Sequence, residues 1–298
     1  MASGNSVIKY SLNNGIQMPS VGLGTFRIRD ADKITRTVDY ALEAGYRMFD
    51  TASVYGNEGY LKRAFNSLLP KYGLVREDIF VTSKLSPSDH GGEDTVVKAY
   101  NRSLNNLGMD YIDLYLIHFP GTARLPAEDS RNLQIRTSTW VALTKLYEKG
   151  VVKSIGVSNY TVRHLKELLK NNNGVIPAVN QVEWHPYYYQ KDLLDYCKEN
   201  GIVLQAYSSL GGTSASNNEL LEEPQIKTIA KKYEVTCAQV LLAWALQQDV
   251  AIIPKSTNPD RIKQNITINF KLTSEEMRAI DALGKRNLKY AWDPNAVA

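Results

Sequence analysis

Short apolar runs alternate with longer amphipathic segments over most of this chain. The apolar runs are rich in Val, Ile, Leu and Tyr, which predicts buried strands. They cover residues 20–23, 46–50, 79–84, 112–118, 152–157, 178–182, 203–207 and 250–253. The segments between them predict helices, at residues 31–44, 58–69, 93–107, 138–149, 162–171, 191–200, within 223–247, and near 259–264.

Strands that alternate with helices of this length pair in parallel. Eight such units predict an α/β fold that closes into a (β/α)8 TIM barrel. The alternation in residues 7–12, the turn Asn13-Asn14-Gly15 and the return at 16–18 add an N-terminal β-hairpin cap. We also expect a polar loop at 121–137, a helix cap at Ser138 or Thr139, and an extra helix at 273–283.

An open doubly wound sheet is the main alternative fold, and its mark is G-x-G-x-x-G after the first strand. Only Gly22 and Gly24 match, because Arg27 stands at the third glycine position. A turn at the end of a strand explains two glycines equally well. The regular alternation along the chain favours the barrel, and the lack of a linker predicts a single domain over residues 1–298.

Composition excludes several classes of function. The net charge is +4, and Lys and Arg are scattered, so we expect no nucleic-acid partner. No apolar stretch is long enough to span a membrane, and the first residues lack a signal-peptide pattern, so a cytoplasmic protein is expected. Two cysteines make no disulfide framework, and the four histidines have no metal-ligand spacing, so no metal site is predicted.

Candidate chemistry lies at the ends of three predicted strands. Asp50 and Lys84 are 34 residues apart, and His118 follows after 34 more, so each ends one strand on the same rim of the barrel. Tyr55 follows Asp50 closely. A nearby ammonium lowers the pKa of a phenol, whose ordinary value is about 10. A carboxylate can hold the lysine, and a neutral histidine can orient a carbonyl oxygen.

Plainer interpretations of these residues stay open. A strand-end Asp and Lys often form a simple ion pair, and a histidine after an apolar strand is more often a hydrogen-bonded core residue than a catalyst. A second cluster follows predicted strands 7 and 8, where Lys255, Ser256 and Arg261 precede or open a helix. Barrels often bind phosphate there, although a capped helix with solvated basic residues would look the same.

Three motifs resemble the aldo-keto reductase superfamily, in its aldose and aldehyde reductase-like branch. They are GYRMFDTASVYGNE at residues 45–58, KSIGVSNY at 153–160, and IPKS at 253–256 with Arg261, Gln264 and Asn265. The resemblance covers nearly the whole chain. It implies a reductase of aldehydes or ketones in which Tyr55 is the general acid, Lys84 lowers its pKa, Asp50 holds Lys84, and His118 orients the carbonyl.

The resemblance also implies NADPH/NADP+ bound across the barrel mouth. Ser158, Asn159 and Gln181 would hold the carboxamide, and Tyr207 would stack on the nicotinamide. Phosphates and adenine would be held beyond them, with the loop after strand 7 as a possible clamp. The complete set of implied cofactor residues is Gly24, Thr25, Asp50, Ser158, Asn159, Gln181, Tyr207, Ser208, Leu210, Lys255, Ser256, Thr257, Arg261, Gln264 and Asn265. Lys255, Ser256 and Arg261 beside a 2′-phosphate favour NADPH over NADH.

The substrate side departs from the usual pattern of the family. The implied substrate-binding residues are Phe26, Val54, Tyr55, Ser86, His118 and Phe119. Phe26 and Phe119 stand where Trp is common, Ser86 replaces an aromatic residue, and few residues follow Trp292. We therefore expect an open, less aromatic cleft for small or polar, sugar-derived carbonyls. Arg27, Arg124 or Arg131 facing the cleft would favour an anionic substrate.

The resemblance leaves one functional alternative, a non-catalytic NADPH-binding relative such as a redox-sensing channel subunit or a crystallin-like protein. The four filled catalytic positions favour an enzyme. His118 also disfavours double-bond reduction, because the double-bond reductases of the family carry Glu at that position. The chain is expected to be a monomer that acts on a small-molecule carbonyl.

Overall fold

A computed structural model describes residues 8–212 and 216–298. Eight parallel strands form one curved sheet in chain order. They are β3 (Leu23–Gly24), β4 (Met48–Asp50), β5 (Phe80–Leu85), β6 (Ile112–Ile117), β7 (Val152–Ser158), β8 (Val179–Glu183), β9 (Val203–Tyr207) and β10 (Ala251–Ile252). A parallel bridge between Val21 and Ile252 joins the first strand to the last. The predicted (β/α)8 barrel is confirmed.

Helices surround this sheet. They are α1 (Ala31–Glu43), α2 (Glu58–Lys71), α3 (Glu93–Leu107), α4 (Arg131–Glu148), α5 (Val162–Lys170), α6 (Lys191–Glu199), α7 (Pro224–Tyr233), α8 (Cys237–Leu246), α9 (Pro259–Ile266) and α10 (Ser274–Asp281). Side-chain caps begin several of them: Asp30 accepts from the Lys33 amide at α1, and Asn258 accepts from the Arg261 amide at α9.

One helix prediction was wrong in its bounds, and another was wrong in the number of helices. Helix α4 begins at Arg131, within the predicted loop, and Thr139 is a buried interior residue rather than a cap. Its hydroxyl donates to the Ile135 carbonyl one turn earlier, at 2.7 Å, because threonine can bond back along a helix as well as cap one. The stretch 223–247 is two helices, since Glu234 takes a left-handed conformation that ends α7 and Thr236 caps α8.

The predicted hairpin is present as β1 (Lys9–Ser11) and β2 (Gln17–Pro19), which pair antiparallel; Val7 lies outside the described residues. Leu12 and Met18 from the hairpin are buried in a cluster with Met48, Phe80 and other side chains. These partners come from the first residues of β4 and β5. The hairpin therefore covers the amino-terminal end of the barrel, and the carboxyl ends of the strands form its mouth.

Both cysteines are free thiols in helices. Cys197 is buried in α6, and burial raises its pKa to about 12. Cys237, at the start of α8, is half-buried, and its pKa is also raised, mainly by burial. Within residues 8–212 and 216–298, no helix has the length and apolar character needed to cross a bilayer.

Candidate active site

Asp50, Lys84 and Tyr55 meet at the barrel mouth. Parallel register between β4 and β5 places the end of one strand beside the other, and a short 3-10 turn at Ser53–Tyr55 returns Tyr55 toward the strand ends. The Lys84 ammonium lies 2.8 Å from both carboxylate oxygens of Asp50, 2.8 Å from the Thr51 carbonyl and 3.4 Å from the Tyr55 hydroxyl. The predicted ion pair and the predicted acid are thus one cluster.

Lys84 is completely buried, and Asp50 is nearly so. A buried ammonium is costly unless it is paired and hydrogen-bonded. Burial lowers the pKa of Lys84, and the carboxylate of Asp50 acts in the opposite direction. The two carboxylate oxygens of Asp50 and the Thr51 carbonyl oxygen offset the cost of burying the Lys84 ammonium in the barrel interior.

His118 directly follows β6 and completes the group. Its ring centroid is 5.7 Å from that of Tyr55, in an edge-on arrangement. Burial, together with the charge of Lys84, lowers the pKa of His118 well below its ordinary range. The imidazole is therefore neutral at physiological pH, and a neutral ring can donate one hydrogen bond to an acceptor such as a carbonyl oxygen.

The pKa of Tyr55 differs from the expectation. Burial, with the carboxylate of Asp50 as a smaller cause, raises it well above 10. Lys84 does not lower it on balance, since that ammonium is held by Asp50 at a shorter distance than by Tyr55. Tyr55 consequently keeps its proton at neutral pH, which is the protonation state that a general acid requires.

The ends of β7, β8 and β9 form a polar wall beside the cluster. Asn159, in a left-handed conformation, donates to the His118 carbonyl at 2.9 Å and accepts from the Tyr207 hydroxyl at 2.7 Å. The Ser158 hydroxyl donates to the Gln181 main-chain carbonyl at 2.7 Å. These contacts gather the residues predicted to surround a nicotinamide.

Gln181 links this wall to Asp50. Its amide nitrogen donates at 2.8 Å to Asp50 and at 2.8 Å to the side-chain oxygen of Gln205. Gln205 is fully buried, and its own amide nitrogen contacts the Met48 sulfur at 3.6 Å. Because both bonds of Gln181 use the nitrogen, the side-chain oxygen is the atom that it would present to a carboxamide.

The predicted phosphate region is built from β10 and α9. Ser256 is buried, and its hydroxyl accepts from the Asn258 amide at 3.1 Å, just before α9. Lys255 is an exposed residue whose side chain is partly buried. This partial burial, together with the charges of Lys33 and Arg27, lowers the pKa of Lys255. Cations that repel one another beside a helix N-terminus form a favourable site for an anion.

A close backbone approach shapes the same region. A Cβ on Gly24 would lie 2.7 Å from the Ile253 carbonyl oxygen, so only glycine allows β3 to lie against the end of β10. The Thr25 hydroxyl donates to the Asp50 carbonyl at 2.8 Å. Ser208 after β9 adopts a left-handed conformation. Such conformations are sparsely populated and cluster at ligand sites.

Other predicted cofactor residues border this region. Arg261 and Gln264 are exposed on α9, and Asn265 is buried. Thr257 and Leu210 are half-buried, the first just before α9 and the second after β9. Part of the loop expected to clamp the cofactor, residues 213–215, lies outside the described residues.

Aromatic rings lie on the substrate side of the cleft. Phe26 lies 5.0 Å from Tyr55, ring centroid to ring centroid, and Val54 is exposed beside them. The indole of Trp292 lies 5.3 Å from the His118 ring and 5.6 Å from the Phe119 ring. Trp292, which immediately precedes the short tail, thus lies beside His118, and the expectation of an open, less aromatic cleft stays a prediction.

Ser86, a predicted substrate-binding residue, caps a short turn. It is buried, and its hydroxyl accepts from the Ser88 amide at 3.1 Å, capping the short turn Pro87–Asp89. The three arginines considered for an anionic substrate lie in different surroundings. Arg131 pairs with Asp129 at 2.6 Å on the surface, and Arg124 donates to the His90 carbonyl. Arg27 lies 5.2 Å from the Phe26 ring centroid and is therefore next to the cleft.

Sequence reasoning missed three residues around this site, Trp292, Gln205 and Lys33. Trp292 follows the last predicted element, so no periodic pattern marked it. Gln205 interrupts an apolar strand, and a polar residue in such a strand was the available signal. Lys33 lies three residues after the Asp30 cap in the first turn of α1. Among the described residues, no group of three His, Cys, Asp or Glu side chains could hold a metal ion.

Known proteins share this sequence and architecture. The family model described as the Aldo/keto reductase family matches residues 20–285. The chain is 43% identical over 275 residues to glyoxal reductase of Bacillus subtilis, covering 92% of each protein. It is 42% identical over 299 residues to human aldo-keto reductase family 1 member C2, covering 94% of this chain and 92% of that protein.

Solved structures agree with the sequence comparisons. An aldo-keto reductase of Bombyx mori, in complex with NADP, superposes with a TM-score of 0.88 at 34% identity, covering 97% of this chain and 96% of that one. An aldo-keto reductase from a deep-sea metagenome library has a TM-score of 0.86 at 40% identity, covering 97% and 99%. With the family match over most of its length, this chain belongs to the aldo/keto reductase family.

Proposed function

We propose that this protein reduces small aldehydes and ketones to alcohols with NADPH, and that Tyr55 is the general acid. The observation that carries the proposal is the buried Lys84 ammonium held between Asp50 and the Tyr55 hydroxyl. This complete cluster supports an enzyme over a non-catalytic relative, since a protein that only binds a nucleotide has no need to bury an ammonium against a phenol.

The cofactor is NADP(H), as in the structurally similar silkworm protein. The residues fit it: Ser158, Asn159 and Gln181 would hold the carboxamide, and Tyr207 would lie against the ring. The group of cations around Lys255 would take phosphate. When bound, the reduced nicotinamide supplies a hydride to the carbonyl carbon.

The chain's own residues supply the proton and the orientation. The neutral imidazole of His118 donates a hydrogen bond to the carbonyl oxygen and fixes its direction. Tyr55 gives its hydroxyl proton to that oxygen as negative charge develops on it. The phenolate that remains is stabilised by the ammonium of Lys84 and regains a proton from solvent.

Small carbonyls are the proposed substrate class. The relative named glyoxal reductase supports this choice. Phe26, Phe119 and Trp292 surround the space next to Tyr55 and His118, which limits the bulk that a carbonyl can carry. Arg27 beside Phe26 would suit a substrate with an anionic group.

The proposal is tested by following NADPH absorbance with a panel of carbonyls. The panel contains a short dicarbonyl, a sugar aldehyde, a uronate-type aldehyde and a steroid ketone. We expect turnover with the small compounds. No turnover with any member would overturn the reductase proposal, and preference for the steroid would overturn the small-substrate proposal alone.

A further inference from the structure

We infer that Glu183 is a positioning residue that holds Trp292 against the catalytic His118 and so sets the substrate-side wall of the cleft. The inference rests on the proposed reductase function. The element concerned is the C-terminal strap, defined as residues 289–297. Glu183 touches neither Tyr55 nor His118, yet it fixes the main chain that carries Trp292.

The first anchor of the strap is the Glu183 carboxylate, at the end of β8. It accepts from the Tyr290 amide at 2.6 Å, the Ala291 amide at 3.0 Å and the Lys289 ammonium at 2.6 Å. His185 Nε2 lies 3.0 Å from it. Two of these donors are main-chain groups, so the bonds fix the path of the strap itself immediately before Trp292.

The carboxylate is suited to this task because it stays charged although it is buried. Glu183 is 1% exposed. Burial alone would raise its pKa, but the bonds from His185, Lys289 and Tyr290 hold that pKa at about 2. Since an ionised carboxylate only accepts hydrogen bonds, His185 must donate from Nε2. Hydrogen bonds to an ionised acceptor are roughly twice as strong as neutral ones.

The second anchor lies at the far end of the strap. Val297 is fully buried. Its side chain packs against Gly121, so closely that a Cβ added to Gly121 would lie 3.3 Å from it. Its carbonyl lies 3.0 Å from His164 Nε2 and also accepts from Arg163. Trp292 thus lies between two buried anchors, and Trp292 itself is 51% exposed.

The position of Trp292 matters for the carbonyl rather than for the cofactor. Its contacts are with His118, which orients the carbonyl, and with Phe119. If the first anchor is released, the indole loses its fixed distance from His118. The cleft then widens on the substrate side, while Lys84, Asp50 and Tyr55 keep their contacts.

The tryptophans make this displacement measurable. Trp140, Trp184 and Trp244 are each at most 1% exposed, so Trp292 is the tryptophan that a solute quencher reaches. Glu183→Gln is tested by acrylamide quenching of the protein without ligands. We expect a clear increase in the quenching constant, and Trp292→Phe should remove the quenchable component. Lys289→Met, which removes only one of the donors, should give a smaller increase.

Kinetics of the same variants give the second measurement. For Glu183→Gln we expect the KM for the carbonyl to rise about tenfold, as the loss of charge-assisted bonds predicts, while the Kd for NADPH changes less than about twofold. The matched control is Glu276→Gln. Glu276 also accepts from a lysine, a tyrosine and a main-chain amide and has a pKa of about 2. It lies in α10, and its change should alter neither measurement.

Two outcomes would overturn the inference. One is a folded Glu183→Gln protein with unchanged quenching and unchanged KM. The other is a Kd for NADPH that rises as much as the KM, which would mean that Glu183 acts through Gln181 on the same strand. If the wild-type protein reduces no carbonyl at all, the proposed function fails, yet the quenching experiment still decides whether Glu183 holds Trp292.

Discussion

The ammonium of Lys84 lies 3.4 Å from the hydroxyl oxygen of Tyr55, and this is the longest of its four contacts. The three shorter ones go to Asp50 and the Thr51 carbonyl. Lys84 is thus held mainly by Asp50, and in the proposed mechanism Tyr55 keeps its proton until charge develops on a neighbouring oxygen. That arrangement makes separate predictions for the acid and for the ion pair.

Replacing Tyr55 by Phe should remove the acid and leave the cluster of Asp50 and Lys84 in place. Because positioned proton transfer contributes about 10²–10⁴-fold to a rate, we expect kcat for aldehyde reduction to fall by about that factor. Binding of NADPH, measured by protein fluorescence, should stay the same. Tyr72→Phe is the control, since that hydroxyl bonds to Asp39, away from the site. Retained turnover in Tyr55→Phe would contradict the assignment.

The Lys84–Asp50 pair should matter for stability as well as chemistry. Removing one partner leaves a buried charge unpaired, so Lys84→Met and Asp50→Asn should each lower the free energy of unfolding by about 3–5 kcal/mol. The double variant should lose less than the sum, because no unpaired charge remains. Urea denaturation measures all three.

An exposed pair provides the comparison for this cycle. Lys71 lies 2.7 Å from Asp39 but is about half exposed, so Lys71→Met should lower the free energy of unfolding far less than Lys84→Met. Additive effects of Lys84→Met and Asp50→Asn would show that burial of the pair is not the reason for its energy.

Gln205 should act on the cofactor through Gln181. Its side-chain oxygen accepts from the Gln181 nitrogen, which turns the Gln181 oxygen toward the place proposed for the carboxamide. Gln205→Met keeps the volume and removes the acceptor. We expect the Kd for NADPH to rise about five- to tenfold, because a buried hydrogen bond is lost. The KM for the carbonyl should change little. A rise in the carbonyl KM alone would contradict this role.

Lys255 should distinguish NADPH from NADH. Its pKa is lowered by burial and by two neighbouring cations, a situation that an added phosphate relieves. Lys255→Met should weaken NADPH binding by about tenfold or more, as for a charge-assisted contact, and should leave NADH binding nearly constant. Equal losses for both nucleotides, measured by fluorescence titration, would assign Lys255 to another part of the cofactor.

Buried histidines should make the protein acid-sensitive. Burial lowers the pKa of His90 and of His164 to about 4, and that of His118 well below its ordinary value. Between pH 6.5 and 4.5 the unfolded chain therefore binds protons that the folded chain does not. The free energy of unfolding should fall with decreasing pH by up to about 1.4 kcal/mol per pH unit for each histidine.

Thermal or urea unfolding across this window measures the slope. His164→Gln should reduce it by about a third, because one of three titrating groups is removed. The carboxylate of Glu183, with its pKa of about 2, titrates below the window. A stability that stays level from pH 6.5 to 4.5 would show that these imidazoles are charged in the folded protein.

The barrel and the cluster at its mouth could be predicted because strand ends have a fixed geometry. Residues at the ends of parallel strands share one rim, so Asp50, Lys84 and His118 were predictable from periodicity. Tyr55 has no periodic position because it lies in a loop; its closeness to Asp50 in the sequence placed it in the cluster, and the resemblance implied its role as the acid. The pKa of Tyr55 could not be predicted, because it depends on burial and on the Asp50 charge, which only coordinates reveal.

The substrate side shows the opposite case. Trp292 lies in a segment without regular secondary structure, and its place is set by contacts with residues more than a hundred positions away, such as Glu183. Local pattern carries no information about such contacts. Thr139 was predicted as a helix cap for the same reason. It lies inside α4, and its hydroxyl accepts from the amide of Gly91, in a loop far away in the sequence.

The two thiols have a consequence for the proposed reduction of aldehydes. Thiolates add readily to electrophilic carbon, whereas protonated thiols react slowly. With the pKa of Cys197 at about 12 and that of Cys237 also raised, little thiolate exists at neutral pH. The protein should therefore resist covalent inactivation by the reactive carbonyls proposed as its substrates, a chemical durability that comes mainly from burial of the thiols.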